Sequence, residues 1–122
     1  MKIGKFEDIE AWKKSRELVK TIYQVTSEGR FGKDYSLIDQ VRRASVSIMS
    51  NIAEGYARQT NREFSQFLHI ALGSVAELQS QLYIAQDLNY VSKEEFDRIY
   101  GLSSEVARLI TGFIKYLKGT TK

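Results

Sequence analysis

Apolar residues recur at intervals of three and four along four stretches of the chain, which predicts four α-helices and no strand. The first is expected from about Asp8 to Ser27, with Ala11, Ser15, Leu18, Val19, Ile22 and Val25 inward and Trp12 and Tyr23 at the edge. Gly29-Arg30-Phe31-Gly32 closes it, using glycine's freedom at positive φ. The second begins near Asp34 or Ser36 and is expected to end at Gly55, read as a C′ residue. Thr60-Asn61-Arg62-Glu63 has the form of a capping box and opens the third, which runs to near Asn89. Ser92-Lys93-Glu94-Glu95 repeats the device and opens the fourth, which runs to about Lys118 with Phe96, Ile99, Val106, Leu109, Ile110, Phe113 and Leu117 as its stripe. Short polar connections between long helices imply antiparallel neighbours. The expected fold is therefore all-α, an antiparallel up-down four-helix bundle.

The second helix has a more complex pattern than a bundle helix needs. At 100° per residue, Leu37, Val41, Ala44, Ile48 and Ile52 form one apolar stripe. Gln40, Arg43, Ser47, Asn51 and Glu54 form a polar seam beside it, and Val46, Met49 and Ala53 form a second apolar set well round the helix. Two apolar faces on one helix point to a partner, a second copy of the chain being the simplest. Val46, Met49 and Ala53 are thus the candidate oligomer interface, together with part of the third helix. That third helix is apolar nearly all round, which reads as a segment built for burial. Gly73-Ser74 in its middle, like Ala44, Ser45 and Ser47, would allow close helix approach.

Composition narrows the class. With 122 residues, 43% hydrophobic and 27% charged, residues 1–122 read as a single soluble domain. The absence of proline favours long helices, and the absence of cysteine excludes disulfides, thiolate nucleophiles and Cys-ligated zinc. No apolar run approaches the ~18 residues of a membrane span, and the stretch from Met1 to Asp8 lacks the apolar region of a secretory signal, so a cytoplasmic protein is expected. The net charge of +3 is unevenly spread: residues 1–33 hold eight Lys or Arg, residues 91–122 hold six, and residues 63–90 hold none.

Catalysis finds little support in these residues. His69 is the single histidine and reads as a structural one on an apolar helix. No His/Asp/Glu set has metal-ligand spacing, Gly29 and Gly32 match neither nucleotide fingerprint, and Ser45, Ser47 and Ser50 lack a nearby base, so no metal and no cofactor is expected. The seam residues Gln40, Arg43, Ser47, Asn51 and Glu54 are expected to form a structural network with Glu77 or Gln81 that fixes helix register, because buried charges must be paired. The basic residues carry the functional case. Lys13, Arg16 and Lys20 cluster on one side of the first helix beside Trp12 and Tyr23, and Arg42, Arg58 and Arg62 add to them. Cations beside aromatics can hold phosphates and stack on bases. A solvated face is the plainer reading, since Asp8, Glu10 and Glu17 dilute the charge.

Three motifs in combination point further: Phe6-x-Asp8-Ile9-x-x-Trp12, then Gln40-x-x-Arg43-Ala44-x-x-Ser47-Ile48-x-x-Asn51-Ile52-Ala53-Glu54-Gly55, then Ala71-x-Gly73-Ser74-x-x-Glu77-Leu78. Together they resemble the four-helix-bundle proteins encoded within intervening sequences of bacterial 23S ribosomal RNA genes, the S23 or intervening-sequence protein family. The resemblance extends over nearly the whole chain. It is also similar to the accessory variability protein of diversity-generating retroelements. The resemblance implies assembly into a homopentameric, ring-like barrel and association with RNA, and it brings no catalytic residues. The expected protein is a non-enzymatic homo-oligomer that binds RNA through Lys13, Arg16, Lys20, Arg42, Arg58 and Arg62, with Trp12 or Tyr23 stacking. The alternative from another class is an interaction scaffold whose basic surface recruits an acidic protein partner.

Overall fold

The structure is a computed structural model and describes residues 3–119. Met1 and Lys2, part of the stretch read above for a signal, lie outside the described residues. A 3₁₀ turn, Phe6–Asp8, precedes helix α1 (Glu10–Val25), and a second, Phe31–Lys33, precedes α2 (Tyr35–Tyr56). Helices α3 (Asn61–Asp87) and α4 (Lys93–Gly119) complete the chain, with no strand among the described residues.

Local chemistry accounts for most of the ends. Asp34 caps α2 by accepting from the Leu37 N–H at 3.1 Å. Thr60 caps α3 by accepting from the Glu63 N–H at 3.1 Å. At α4 the box is reciprocal: the Glu95 N–H donates to Ser92 Oγ and the Ser92 N–H to Glu95 Oε1, both at 3.0 Å. Helix α1 starts later than Asp8, at Glu10, with Ile9 as N-cap and no side-chain bond there. Burial decides this end: Ile9 is in the core, and Phe6 meets the Trp12 ring edge-on at 5.1 Å, holding residues 6–8 in a tighter turn. Gly29 takes the left-handed conformation, φ +56°, after α1, and Asn89 does so after α3.

All four helices contribute to one core, in which Leu18, Ile22, Ile48, Ile52, Leu68, Leu78, Ile99 and Ile110 are fully buried. Three fully buried serines thin the walls between helices. Ser15, Ser45 and Ser103 each return the hydroxyl to a carbonyl one turn back, on Trp12, Arg42 and Tyr100, so none is left unsatisfied.

The close approach of α2 to α3 falls at Ser47 and Ser74, as the sequence suggested, and at Gly55 in place of Gly73. Gly55 is not a C′ residue; it sits inside α2, and a Cβ there would fall 2.8 Å from both Phe64 Cδ1 and Phe67 Cβ. Gly73 faces open space instead. Its neighbour Ser74 meets Ser47, hydroxyl to hydroxyl, at 2.9 Å. Beyond the other end of α2, Tyr90 donates its hydroxyl to Asp34 at 2.8 Å and stacks on Phe31 at 5.2 Å, while Arg30 donates to the Leu88 carbonyl at 2.6 Å. Between α3 and α4, Gln79 donates to Ser103 and Ser104, and Tyr83, Phe96 and Tyr100 form an aromatic cluster.

Helix α3 also departs from the expectation of burial all round. Ile70, Tyr83 and Ile84 are 53%, 49% and 46% exposed, and Leu88 just beyond the helix is 44% exposed. Four helices need only one stripe of α3 for the core, so the surplus apolar residues face outward.

Candidate functional site

Lys13, Arg16 and Lys20 recur at steps of three and four residues, which places them on one exposed side of α1. Lys13 stands 3.4 Å from Glu10, an exposed pair of little energetic weight. Arg16 and Lys20 have no carboxylate partner among the described residues. The Arg16 guanidinium lies 5.8 Å from the Trp12 ring centroid. Trp12 itself is half-buried and packs on the core and on Phe6, so it is held inside the protein's own contacts.

Between Arg16 and Glu28 the surface of α1 forms an open trough of about 670 Å³. Arg16 and Lys20 stand on it, Val19 and Tyr23 line it, and Met49 reaches it from α2. Gln24, Ser27 and Glu28 belong to its C-terminal end. Val19, expected inward from the sequence, is half-buried and lines the trough, and Gln24 and Glu28 were not singled out, although steps of four from Arg16 through Lys20 lead directly to them.

Tyr23 is 42% exposed, and Arg42 covers it: the guanidinium carbon is 4.3 Å from the ring centroid. The same guanidinium donates to Thr26 Oγ1 at 2.9 Å and to Ser27 Oγ at 3.2 Å. Arg42 therefore clamps α2 to the end of α1, with its charge directed at protein groups. Arg58, just beyond α2, lies 4.6 Å over the Phe67 ring, and Arg62 is exposed in the first turn of α3. The structure thus gathers Arg16, Lys20 and Tyr23 at one trough with Lys13 further along α1, and leaves Arg58 and Arg62 at the α2–α3 connection.

The polar seam of α2 splits into a bonded part and an open part. Asn51 donates to the Ser47 carbonyl at 2.8 Å and to Ser47 Oγ at 3.1 Å, extending the Ser47–Ser74 contact. Arg43 pairs with Asp39 at 3.0 Å on the exposed side of α2, not with Glu54 or Glu77. Gln40, Glu54 and Glu77 are exposed. Solvent explains the difference, because a hydrated Arg43 needs no buried partner and takes the carboxylate one turn back on its own helix. Gln81 is buried, with Oε1 unpartnered among the described residues. Of the second apolar set, Val46 is 37% exposed and borders an open groove of about 810 Å³ along with Gln40, Arg43 and Glu77. Ala53 is half-buried, and Met49 belongs to the trough.

Among the described residues, no three His, Cys, Asp or Glu side chains are grouped to hold a metal ion, and no helix is long and apolar enough to cross a membrane. His69 is exposed on α3.

Comparison with known proteins adds identity to this geometry. No curated protein matches the chain. Among solved structures, a protein of unknown function of the S23 ribosomal protein family from Bacteroides thetaiotaomicron superposes with a TM-score of 0.79 at 27% sequence identity. The alignment covers 86% of this chain and 98% of that one. The pattern of the 23S rRNA-intervening sequence protein matches residues 7–112, which takes in α1, α2, α3 and most of α4. This chain belongs to the 23S rRNA-intervening sequence protein family.

Proposed function

We propose that this chain is a non-enzymatic, cytoplasmic RNA-binding protein that works as a ring-like homo-oligomer, a pentamer being the number its family resemblance implies. The bundle is antiparallel and up-down in this reading. Contacts that pair Gly55 with Phe64, Ser47 with Ser74 and Asp34 with Tyr90 support that order for α2 and α3.

The observation that carries the proposal is the separation of the basic row on α1 from the cation-free, partly apolar outer side of α3. Lys13, Arg16 and Lys20 line one side of α1, whereas residues 63–90 carry no Lys or Arg and expose Ile70, Tyr83 and Ile84. Cations suit phosphates, and a cation-free side with exposed apolar residues, although it also carries Glu77, suits another protein surface. The α3 side, joined by Val46 and Ala53 of α2, is the proposed contact between copies. Lys13, Arg16 and Lys20 make the phosphate contacts. The family's link to 23S ribosomal RNA makes RNA the first nucleic acid to try.

Fluorescence anisotropy with a structured RNA tests this reading. Three phosphate contacts per protomer weaken binding roughly 20-fold between 50 and 200 mM salt, on a slope of about −0.7 per contact. Changing Lys13, Arg16 and Lys20 to Glu abolishes it. Absence of RNA binding at low salt, with capture of an acidic peptide instead, would replace this reading by that of a protein-recruiting scaffold.

A further inference from the structure

The trough on α1 has a composition that phosphate contacts alone do not explain. Much of its lining surface is apolar, with Val19, Met49 and the ring of Tyr23 contributing, although Arg16 and Lys20, which have no carboxylate partner among the described residues, stand on it. A surface meant only to neutralise phosphates would place lysines on a polar ground. Here, cationic and apolar groups share one concave strip, with an amide and a carboxylate, Gln24 and Glu28, towards its C-terminal end.

We infer that this trough takes unpaired nucleobases of a single-stranded RNA segment, a conclusion that rests on the RNA-binding reading above and specifies its ligand. A nucleobase has apolar faces and polar edges, which is the chemistry of this strip. Its faces cover Val19, Met49 and Tyr23, and its edge groups donate to Glu28 or bond with Gln24. The attached phosphates lie on Arg16 and Lys20. A duplex presents phosphate and ribose outward, so it would meet the two cations and leave the apolar lining uncovered.

Tyr23 is prepared for stacking. Arg42 holds the ring from one side at 4.3 Å and is itself fixed by Thr26 and Ser27, so little side-chain freedom is lost when a base arrives. The methionine adds a flexible thioether that adapts to different ring shapes, which favours binding without strict sequence preference. From Arg16 to Val25 the helix rises about 14 Å, long enough for a short run of nucleotides.

The experiment uses one fluorescein-labelled RNA of about 12 nucleotides, alone and annealed to its complement, with the full chain at low salt. The single strand binds roughly tenfold more tightly than the duplex, and Met49→Asp removes most of that preference. Ultraviolet crosslinking of the single strand to the unmodified protein, read by mass spectrometry, decides the matter without any variant that has to fold. Adducts within residues 16–28 or on Met49 support the inference. Equal or tighter binding of the duplex, or adducts confined to other segments, overturns it while leaving RNA binding in place. Failure of both RNAs to bind overturns the reading on which it rests.

Discussion

The guanidinium of Arg42 lies 4.3 Å over the ring of Tyr23, joining the outer sides of α2 and α1 through a cation–π contact and two hydrogen bonds. Charged donors to hydroxyl acceptors at a half-buried site contribute more than a surface ion pair does. Arg42→Ala is therefore expected to lower unfolding stability by about 2 kcal/mol in urea titrations. Arg42→Lys does not restore it, because an ammonium cannot stack on the ring and reach both hydroxyls from one plane.

Glycine gives a paired test at two positions of opposite character. At Gly55 a methyl group would fall 2.8 Å from Phe64 Cδ1 and Phe67 Cβ, so α2 and α3 would have to move apart. Gly55→Ala is expected to cost about 1–3 kcal/mol, the range of overpacked cores. At Gly73 nothing lies within 4 Å, and the helix gains from a better helix former. Gly73→Ala is expected to stabilise by about 0.5–1 kcal/mol. Thermal melts of the two variants should move in opposite directions.

That contrast shows what the sequence could and could not say. The periods of three and four, the capping residues at Thr60 and Ser92, and the turn at Gly29 are local signals, and the helices follow them. Where a glycine meets another helix is not local: Gly55 and Gly73 look alike until Phe64 and Phe67 are placed beside one of them. The basic row of Lys13, Arg16 and Lys20 was legible for the same local reason. The trough beside it was not, because Met49 lies far from it in sequence, and only packing of α2 on α1 brings it there. Arg42 looked like a free phosphate ligand for want of its distant partners Thr26 and Ser27.

Tyr90 gives the fold a response to alkali. Its hydroxyl donates to the Asp34 carboxylate at 2.8 Å, and that hydrogen bond, with desolvation and the carboxylate's charge, raises the phenol above its ordinary value of 10.0. The folded state thus favours the protonated phenol. This contribution is fully present below pH 10 and is lost as the pH rises through the folded value. Denaturation followed between pH 8 and 11 should show stability falling at the alkaline end by more in the native protein than in Tyr90→Phe, which lacks the titrating group. Ultraviolet titration should find one late-ionising tyrosine missing from the variant.

Assembly and RNA binding are coupled in this picture through number alone. Ile70 and Ile84 are 53% and 46% exposed on the cation-free helix, far in sequence from the α1 trough. Ile70→Glu with Ile84→Glu places like charges on the proposed contact and should convert the assembly to smaller species in light scattering. Each protomer keeps its own Arg16, Lys20 and Tyr23, so a short single strand should bind the variant protomer as it binds one site of the native protein. A long RNA engages several protomers at once, and its affinity depends on their effective concentration. For that RNA the double variant should bind at least tenfold more weakly, with a salt slope reduced towards the value of about −2 for one protomer. An unchanged slope would mean that only one trough is used at a time, and would remove avidity as the purpose of the proposed ring.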